Sequence, residues 1–483
     1  MNDHAHNPHH AKRWAILAVL GIAQLMVVLD STVVNIALPS AQMDLGFSDD
    51  NRQWIITAYT LAFGSLLLFG GRLADVFGRK HLLLAGLIGF SVASAVGGSA
   101  PNFEVLVIAR AAQGLFGALL APAALSTLTT TFADPDERGK AFGIYGAIAG
   151  AGAALGLILG GVLTQYLSWR WCLYVNLVLA VPAAIAAVAL LVNQRPEGKA
   201  RLDLLGTVVI SVGLLGIVYG CSQAATKGWT STVTLACLIG GLILTAIFVV
   251  IETRVSNPLL PMRVVLDRSR GGAYLGLGLA CVGMFGVFLF LTYYLQMILM
   301  YSPIKTGFAF LPMVGGIMVM ATTSTAVLLP KIGARIPIFA GMLLAAIGMA
   351  LLTQIGTNTG YVSHVLPGLV ILGLGLGLLF ATCFEVGTSG VEAHDAGIAS
   401  AMANTTQQVG GSIGTALLST IAASAVASYL ADGLGDQMAA AVHSYSVAFW
   451  VSAGIFLVSA VICGALIPGG KHAREQTGAP AGL

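Results

Sequence analysis

Stretches of about twenty residues with almost no charge return from one end of this chain to the other. A helix needs about 20 apolar residues to cross a bilayer core about 30 Å thick, so each stretch is long enough to span one. They fall at about 14–37, 54–71, 82–99, 104–128, 139–165, 171–192, 203–222, 233–253, 272–296, 307–329, 337–355, 365–388, 398–427 and 446–467. A transmembrane barrel would show short alternating segments instead. Only 9% of the residues are charged, against about 25% in soluble domains, which excludes a soluble globular protein. The expectation is an all-α membrane protein with fourteen transmembrane helices.

Loop charge sets the orientation. Of the 23 Lys and Arg residues, 18 fall on the side of the termini. Four (Arg52, Arg170, Lys227, Lys305) fall on the other side, and Arg110 lies inside a span. Basic loops stay in the cytoplasm, so residues 1–13 and 468–483 are expected to be cytoplasmic tails. The first apolar run is too long for a signal peptide and should remain in the mature protein. His4, His6, His9 and His10 read as a solvated tail. The six cysteines sit in apolar runs without CxxC spacing, which argues against disulfides and zinc. The net charge of +3 gives no reason to expect a nucleic-acid partner.

One acid stands inside the first run. A charged side chain in hydrocarbon costs at least about 2.5–3.5 kcal/mol, so Asp30 should face a wet cavity, hold a proton or have a cationic partner. The plainer alternative is a lone carboxylate near the outer interface. Asp30 lies about 24 Å along span 1 from the inside, and Arg110 about 9 Å along span 4 from the outside. The two depths are comparable and compatible with an ion pair. Gln113 shares the face of Arg110. Snorkelling of Arg110 to the surface is the competing reading.

The loop after span 2, Gly71-Arg72-Leu73-Ala74-Asp75-Val76-Phe77-Gly78-Arg79-Lys80, is a tight hairpin. Its cations suit topology, and Asp75 can cap or pair with a neighbouring helix end. In span 5, Gly152, Gly156 and Gly160 are four apart and make one smooth face for packing, or for sliding and gating. Gly373, Gly375 and Gly377 sit mid-helix with no strand before them, and no GxxxxGK[ST] occurs, so ATP is not the expected energy source. No cofactor is expected.

The two ends of the chain are related. Gly139, Gly152 and Gly156 fall on Gly397, Gly410 and Gly414, while Gly78, Lys80, Ala85 and Gly86 fall on Gly333, Arg335, Ala340 and Gly341. This predicts a six-helix bundle over 14–192, two inserted helices with linkers over 193–271, and a second bundle over 272–467. Repeated bundles with a site between them suggest a transporter. Asp30, Tyr59, Gln113, Tyr293, Tyr294, Gln296, Asn404 and Gln408 are candidates to contact a substrate, although buried amides also serve as helix–helix glue. Glu385 joins them as the only other acid read inside a span, or sits as an interfacial carboxylate near the cytoplasmic face.

These motifs resemble the major facilitator superfamily, in particular its fourteen-span drug/proton antiporter family. Gly71 to Lys80, ending at Leu83, is similar to the loop signature GxLaDrxGrkxxL, and Leu106 to Gly114 to the span-4 signature lxxxRxxqG. Leu29-Asp30-Ser31-Thr32-Val33-Val34-Asn35-Ile36-Ala37-Leu38-Pro39 resembles LDxTxVNxALP. Gly143, Gly152, Gly156, Gly160 and Gly161 follow the span-5 glycine pattern. Two positions depart from the family: Val76 stands where a basic residue is usual, and Leu157 where span 5 has proline.

The resemblance implies two six-helix bundles that alternate access, driven by protons. Asp30 would accept the proton, Arg110 would couple it to bundle movement, and Gly71, Asp75, Gly78 and Arg79 would gate the cytoplasmic side. Burial disfavours a charged carboxylate and a nearby guanidinium favours it, so small rearrangements can switch such a group between holding and releasing a proton. The expected protein is a monomeric proton-coupled exporter of lipophilic or cationic drugs or antibiotics in a bacterial cytoplasmic membrane. The alternative, motivated by Leu157, is a proton-coupled importer or facilitator of a small metabolite. An enzyme or receptor is disfavoured, because no nucleophile–base constellation or soluble domain is evident.

Overall fold

The computed structural model describes residues 12–49, 51–132, 134–192, 203–255, 258–391, 396–433 and 436–469. Within them, fourteen helices of at least 18 residues follow in order. The first half runs α1 (Arg13–Leu45), α2 (Gln53–Phe77), α3 (Arg79–Gly98), α4 (Phe103–Thr131), α5 (Pro135–Tyr166) and α6 (Trp171–Leu190). A hairpin of α7 (Leu204–Lys227) and α8 (Thr232–Glu252) comes next. The second half runs α9 (Arg268–Tyr293), α10 (Pro303–Thr323), α11 (Arg335–Leu352), α12 (Leu366–Thr388), α13 (Ala396–Ala431) and α14 (Gln437–Leu466). Twelve of the described helices are long and apolar enough to cross a membrane, and two shorter apolar stretches, Gln53–Leu67 and Leu205–Cys221, lie in α2 and α7.

Side-chain size sorts the faces of these helices. On α6, Asn176, Ala180, Ala183 and Ala187 are buried, while Val178, Val181, Ile185 and Val188 are exposed. Small residues let backbones approach inside the bundle, and the aliphatic stripe is left for lipid. Local chemistry sets the helix ends. Gly46, at φ +67°, closes α1 in the left-handed conformation and donates its N–H to Gln42 O at 2.9 Å. Asn102 caps α4 by accepting from Val105 N at 3.0 Å.

The two halves pack alike. In the first, α4 lies on α2 and α3, α5 on α1, and α6 on α1 and α3. In the second, α12 lies on α10 and α11, α13 on α9, and α14 on α9 and α11. Each pairing recurs eight helices later. The contacts between halves follow the same symmetry, α2 against α13 and α5 against α10, and α7 leans on both α2 and α13.

One face of the molecule carries the ends of the described chain. There Arg13 meets Glu137 at 2.8 Å, and Gly272 lies against Ile467. On the opposite, distal face, Asp44 Oδ2 accepts from Trp169 Nε1 and Arg170 Nη2, both at 3.0 Å.

The glycines of α5 turn toward α1 in their own bundle. A Cβ at Gly156 would strike Thr32 Oγ1, one at Gly152 would lie 3.1 Å from Leu25 Cδ1, and one at Gly160 3.0 Å from Val33 O. Contact with the other bundle falls instead to Gly161, whose added Cβ would sit 2.6 Å from Ile304 Cα. In the loop after α2, Gly78 has φ +87°, which favours glycine. Beside it, Lys80 clamps α3 to the end of α6 through Val188 O (2.9 Å) and Leu191 O (2.6 Å). Gly71 faces Pro122 of the same bundle, and Arg79 is half-buried at the first residue of α3. The side chain of Asp75, with Gly139, Gly143 and Gly397, lies outside the described residues.

Candidate functional site

Four helices of the first bundle converge on Asp30, which is fully buried. Arg110 Nη1 of α4 donates to Asp30 Oδ2 at 2.5 Å. Gln113 Nε2 of α4 and Asn176 Nδ2 of α6 donate to Oδ1 at 2.9 and 2.8 Å. Both amides also reach Ser94 Oγ of α3, at 2.7 and 3.2 Å. Of the three ways a carboxylate can survive in hydrocarbon, the structure supplies the cationic partner. It does not place Asp30 on an open surface.

Arg110 has partners on three of the first bundle's helices. Besides Asp30, it donates to Gln113 Oε1 at 2.9 Å and, through Nε, to Ile55 O of α2 at 3.1 Å. Its guanidinium lies 4.4 Å from the ring centroid of Tyr59, a contact that gains strength where water is excluded. Removing one partner from such a buried pair is far more costly than the pair's net worth, because the other charge is left bare. Two atoms keep spare capacity: Tyr59 Oη and Asn176 Oδ1 are buried without a hydrogen bond. A cavity of about 10 Å³, lined by Val34, Ile55, Leu106, Arg110, Trp169 and Cys172 among others, adjoins the guanidinium. It is about the size of one water.

The remaining candidates lie elsewhere. Tyr293 and Gln296 reach across to the first bundle: the Tyr293 hydroxyl donates to Gln42 Oε1, and Gln296 Nε2 donates to Ile36 O at 3.0 Å. Tyr294 points into its own bundle, meeting Gly356 O (2.9 Å) and Thr359 Oγ1 (2.8 Å). Asn404 bonds back to Ser400 O of its own helix at 2.9 Å. Gln408 sits on the α2–α13 seam, where a Cβ added at Gly64 would lie 2.8 Å from its Cβ. One turn further along that seam, Ser412 Oγ donates to Thr60 Oγ1 at 2.6 Å. Glu385 is exposed, one turn before the end of α12.

Sequence reasoning missed Ser94 and Asn176. Asn176 was discernible as an amide inside an apolar run, but Ser94 carries no comparable signal. Glu385 is also not alone: Glu252, at the last residue of α8, is buried and accepts from Leu260 N at 2.8 Å. Among the described residues, no group of three or more His, Cys, Asp or Glu side chains could hold a metal.

The family model for the Major Facilitator Superfamily matches residues 20–415. The chain belongs to that superfamily. It is 50% identical over 474 residues to the puromycin resistance protein pur8 of Streptomyces alboniger, covering 97% of this chain and 94% of that protein. It is 37% identical over 449 residues to the cephamycin export protein CmcT of Amycolatopsis lactamdurans, covering 92% and 90%. The solved POT family transporter PepTSo superposes with a TM-score of 0.70 at 15% identity, over 94% of this chain and 97% of that one, which shows a shared fold. This superfamily member is therefore a multi-span membrane transporter rather than an enzyme, and its homologues are antibiotic resistance and export proteins.

Proposed function

We propose that this transporter exports an amphipathic antibiotic-like compound from a bacterial cytoplasm in exchange for protons, by alternating access. In this reading all fourteen helices span the inner membrane of a monomeric protein. The terminal face is cytoplasmic and the distal face is external. The observation that carries the proposal is the Asp30–Arg110 pair, wholly buried and shared among α1, α3, α4 and α6.

A proton on Asp30 removes one charge of the pair. Arg110 then keeps Ile55 O, Gln113 and the Tyr59 ring, all on α2 and α4, and loses its charged tie to α1. Helix α1 also carries Ile36 and Gln42, which touch Gln296 and Tyr293 of the other bundle. Protonation therefore loosens a helix that also touches the second bundle, which links proton binding to bundle movement. Asn404 and Gln408, half-buried on α13, offer amides to a substrate between the bundles. The 50% identity to a puromycin resistance protein makes puromycin the first compound to try.

The test is transport by purified protein in proteoliposomes under an imposed pH gradient, with ethidium and puromycin as probes. Proton and probe should move in opposite directions, and Asp30→Asn should abolish the coupling with folding retained. Movement in the same direction would turn the reading to symport. Normal uphill transport by Asp30→Asn would remove Asp30 from the mechanism.

A further inference from the structure

A closed ring of four side chains joins the bundles on the distal face. The Tyr293 hydroxyl of α9 donates to Gln42 Oε1, and Gln42 Nε2 donates to Asp49 Oδ1 at 2.7 Å. Arg52 Nη1 shares the same oxygen at 3.5 Å. The Arg52 guanidinium then covers the Tyr293 ring, 4.2 Å from its centroid, and completes the ring. Phe290 lies 6.0 Å from the guanidinium, Tyr445 lies beside it, and the Phe290 and Tyr445 rings stack at 5.6 Å. Arg52, Asp49 and Gln42 belong to the first bundle, and the aromatic cage belongs wholly to the second.

We propose that Arg52 is the bolt of the distal gate: seated in the Phe290–Tyr293–Tyr445 cage, it holds the distal-closed state of the transporter. The inference rests on the alternating-access reading above and adds the residue that sets one of its two end states. The Arg52 side chain is 11% exposed. A desolvated cation over aromatic faces is worth about tenfold or more in an equilibrium. A planar guanidinium can lie flat on one ring while its edge reaches a carboxylate and a hydroxyl, which an ammonium cannot do.

The same arrangement explains how the bolt opens. Asp49, the charge partner of Arg52, is on the same bundle and its side chain is 73% exposed. When the bundles part, Arg52 keeps that carboxylate and loses only the cage. Tyr293 likewise exchanges Gln42 for water. No charge is stranded in either state, so the gate can close firmly and still release.

The test is pulsed dipolar spectroscopy on reconstituted protein carrying spin labels at two pairs of exposed positions. Met43→Cys with Met300→Cys reports the distal face, and Lys140→Cys with Ile336→Cys reports the terminal face. In Arg52→Ala the ratio of short to long distal distances should fall about tenfold, while the terminal pair shortens in step. Arg52→Lys and Tyr293→Phe should shift the ratio the same way by less, and they provide the readout should Arg52→Ala not fold. Broadening of both pairs in all three variants, without that opposed change, would count against the bolt. Distributions in Arg52→Ala equal to those of the parent protein would overturn it. A parent protein with one fixed distal distance under every pH gradient, with and without puromycin, would overturn alternating access itself and the bolt with it.

Discussion

Asn176 Nδ2 meets Asp30 Oδ1 at 2.8 Å, a contact between α6 and α1 that turns an ion pair into a shared polar core. Without it, Asp30 would be tied to α4 alone through Arg110 and Gln113. With Ser94 bridging both amides, four helices bear on one carboxylate. Asn176→Leu keeps the volume and removes the donor. A hydrogen bond to a charged group contributes about 1.5–3 kcal/mol, partly offset because the unpartnered Asn176 Oδ1 is also removed. Thermal melts in detergent should show a loss of about 1–2 kcal/mol, with proton-driven transport reduced more than binding. An unchanged melt and unchanged transport would reduce Asn176 to a bystander.

Arg110→Ala should be the most damaging single change in this core. It leaves Asp30 fully buried with only amide partners, and stranding one member of a buried pair costs about 3–5 kcal/mol. The double variant Asp30→Asn/Arg110→Ala should therefore be more stable than Arg110→Ala alone, since the uncompensated charge is gone. A double-variant cycle on melting midpoints measures this coupling. Additive losses would mean that the pair is not an energetic unit.

Much of this core is legible in the sequence because charge in an apolar run is conspicuous. Span bounds, orientation and the helical rise put Asp30 and Arg110 at comparable depths, and the structure brings them to 2.5 Å. What the run cannot show is rotation about the helix axis. Tyr293 and Tyr294 are neighbours, yet one reaches the other bundle and the other its own loop. Arg52 is hidden for a different reason. In a loop between spans it reads as one more charge for topology, and only packing of the two halves reveals the cage. The glycines of α5 are equally ambiguous: their spacing predicts a smooth face, but not which neighbour fills it.

That neighbour makes a sharp contrast possible. Gly156→Ala would push a methyl group into Thr32 Oγ1 and to 3.2 Å from Leu29 O, next to Asp30 in the chain. Overpacking of this kind costs about 1–3 kcal/mol. Gly146, ten residues earlier on the same helix, has open space where a Cβ would go, with nothing within 4 Å, and Gly146→Ala should gain a little from better helix propensity. Thermal melts of the two variants should move in opposite directions. Equal shifts would mean that α5 does not press on α1 as closely as the structure shows.

Gly161 lies on the other side of the same helix and has a different task. A Cβ there would fall 2.6 Å from Ile304 Cα and 2.7 Å from Pro303 O, and these backbone atoms, at the start of α10, cannot step aside as a side chain would. Across the same contact Gly307 faces Leu157 O, so both bundles have given up side chains to close here. Gly161→Ala should leave each bundle intact and penalise only their approach on the distal face. Its effect on the Met43–Met300 spin-label distances should therefore have the sign expected of Arg52→Ala, although the two residues sit on different helices and act by different forces. Arg52→Ala removes an attraction and Gly161→Ala adds a repulsion. Combined, the two should shift the distal population by the product of their separate factors, because they share no contact. A Gly161→Ala protein that kept the distal distances of its parent would show that the α5–α10 contact yields without cost, and closure would then rest on the Arg52 cage and on contacts such as Gln296 to Ile36 O.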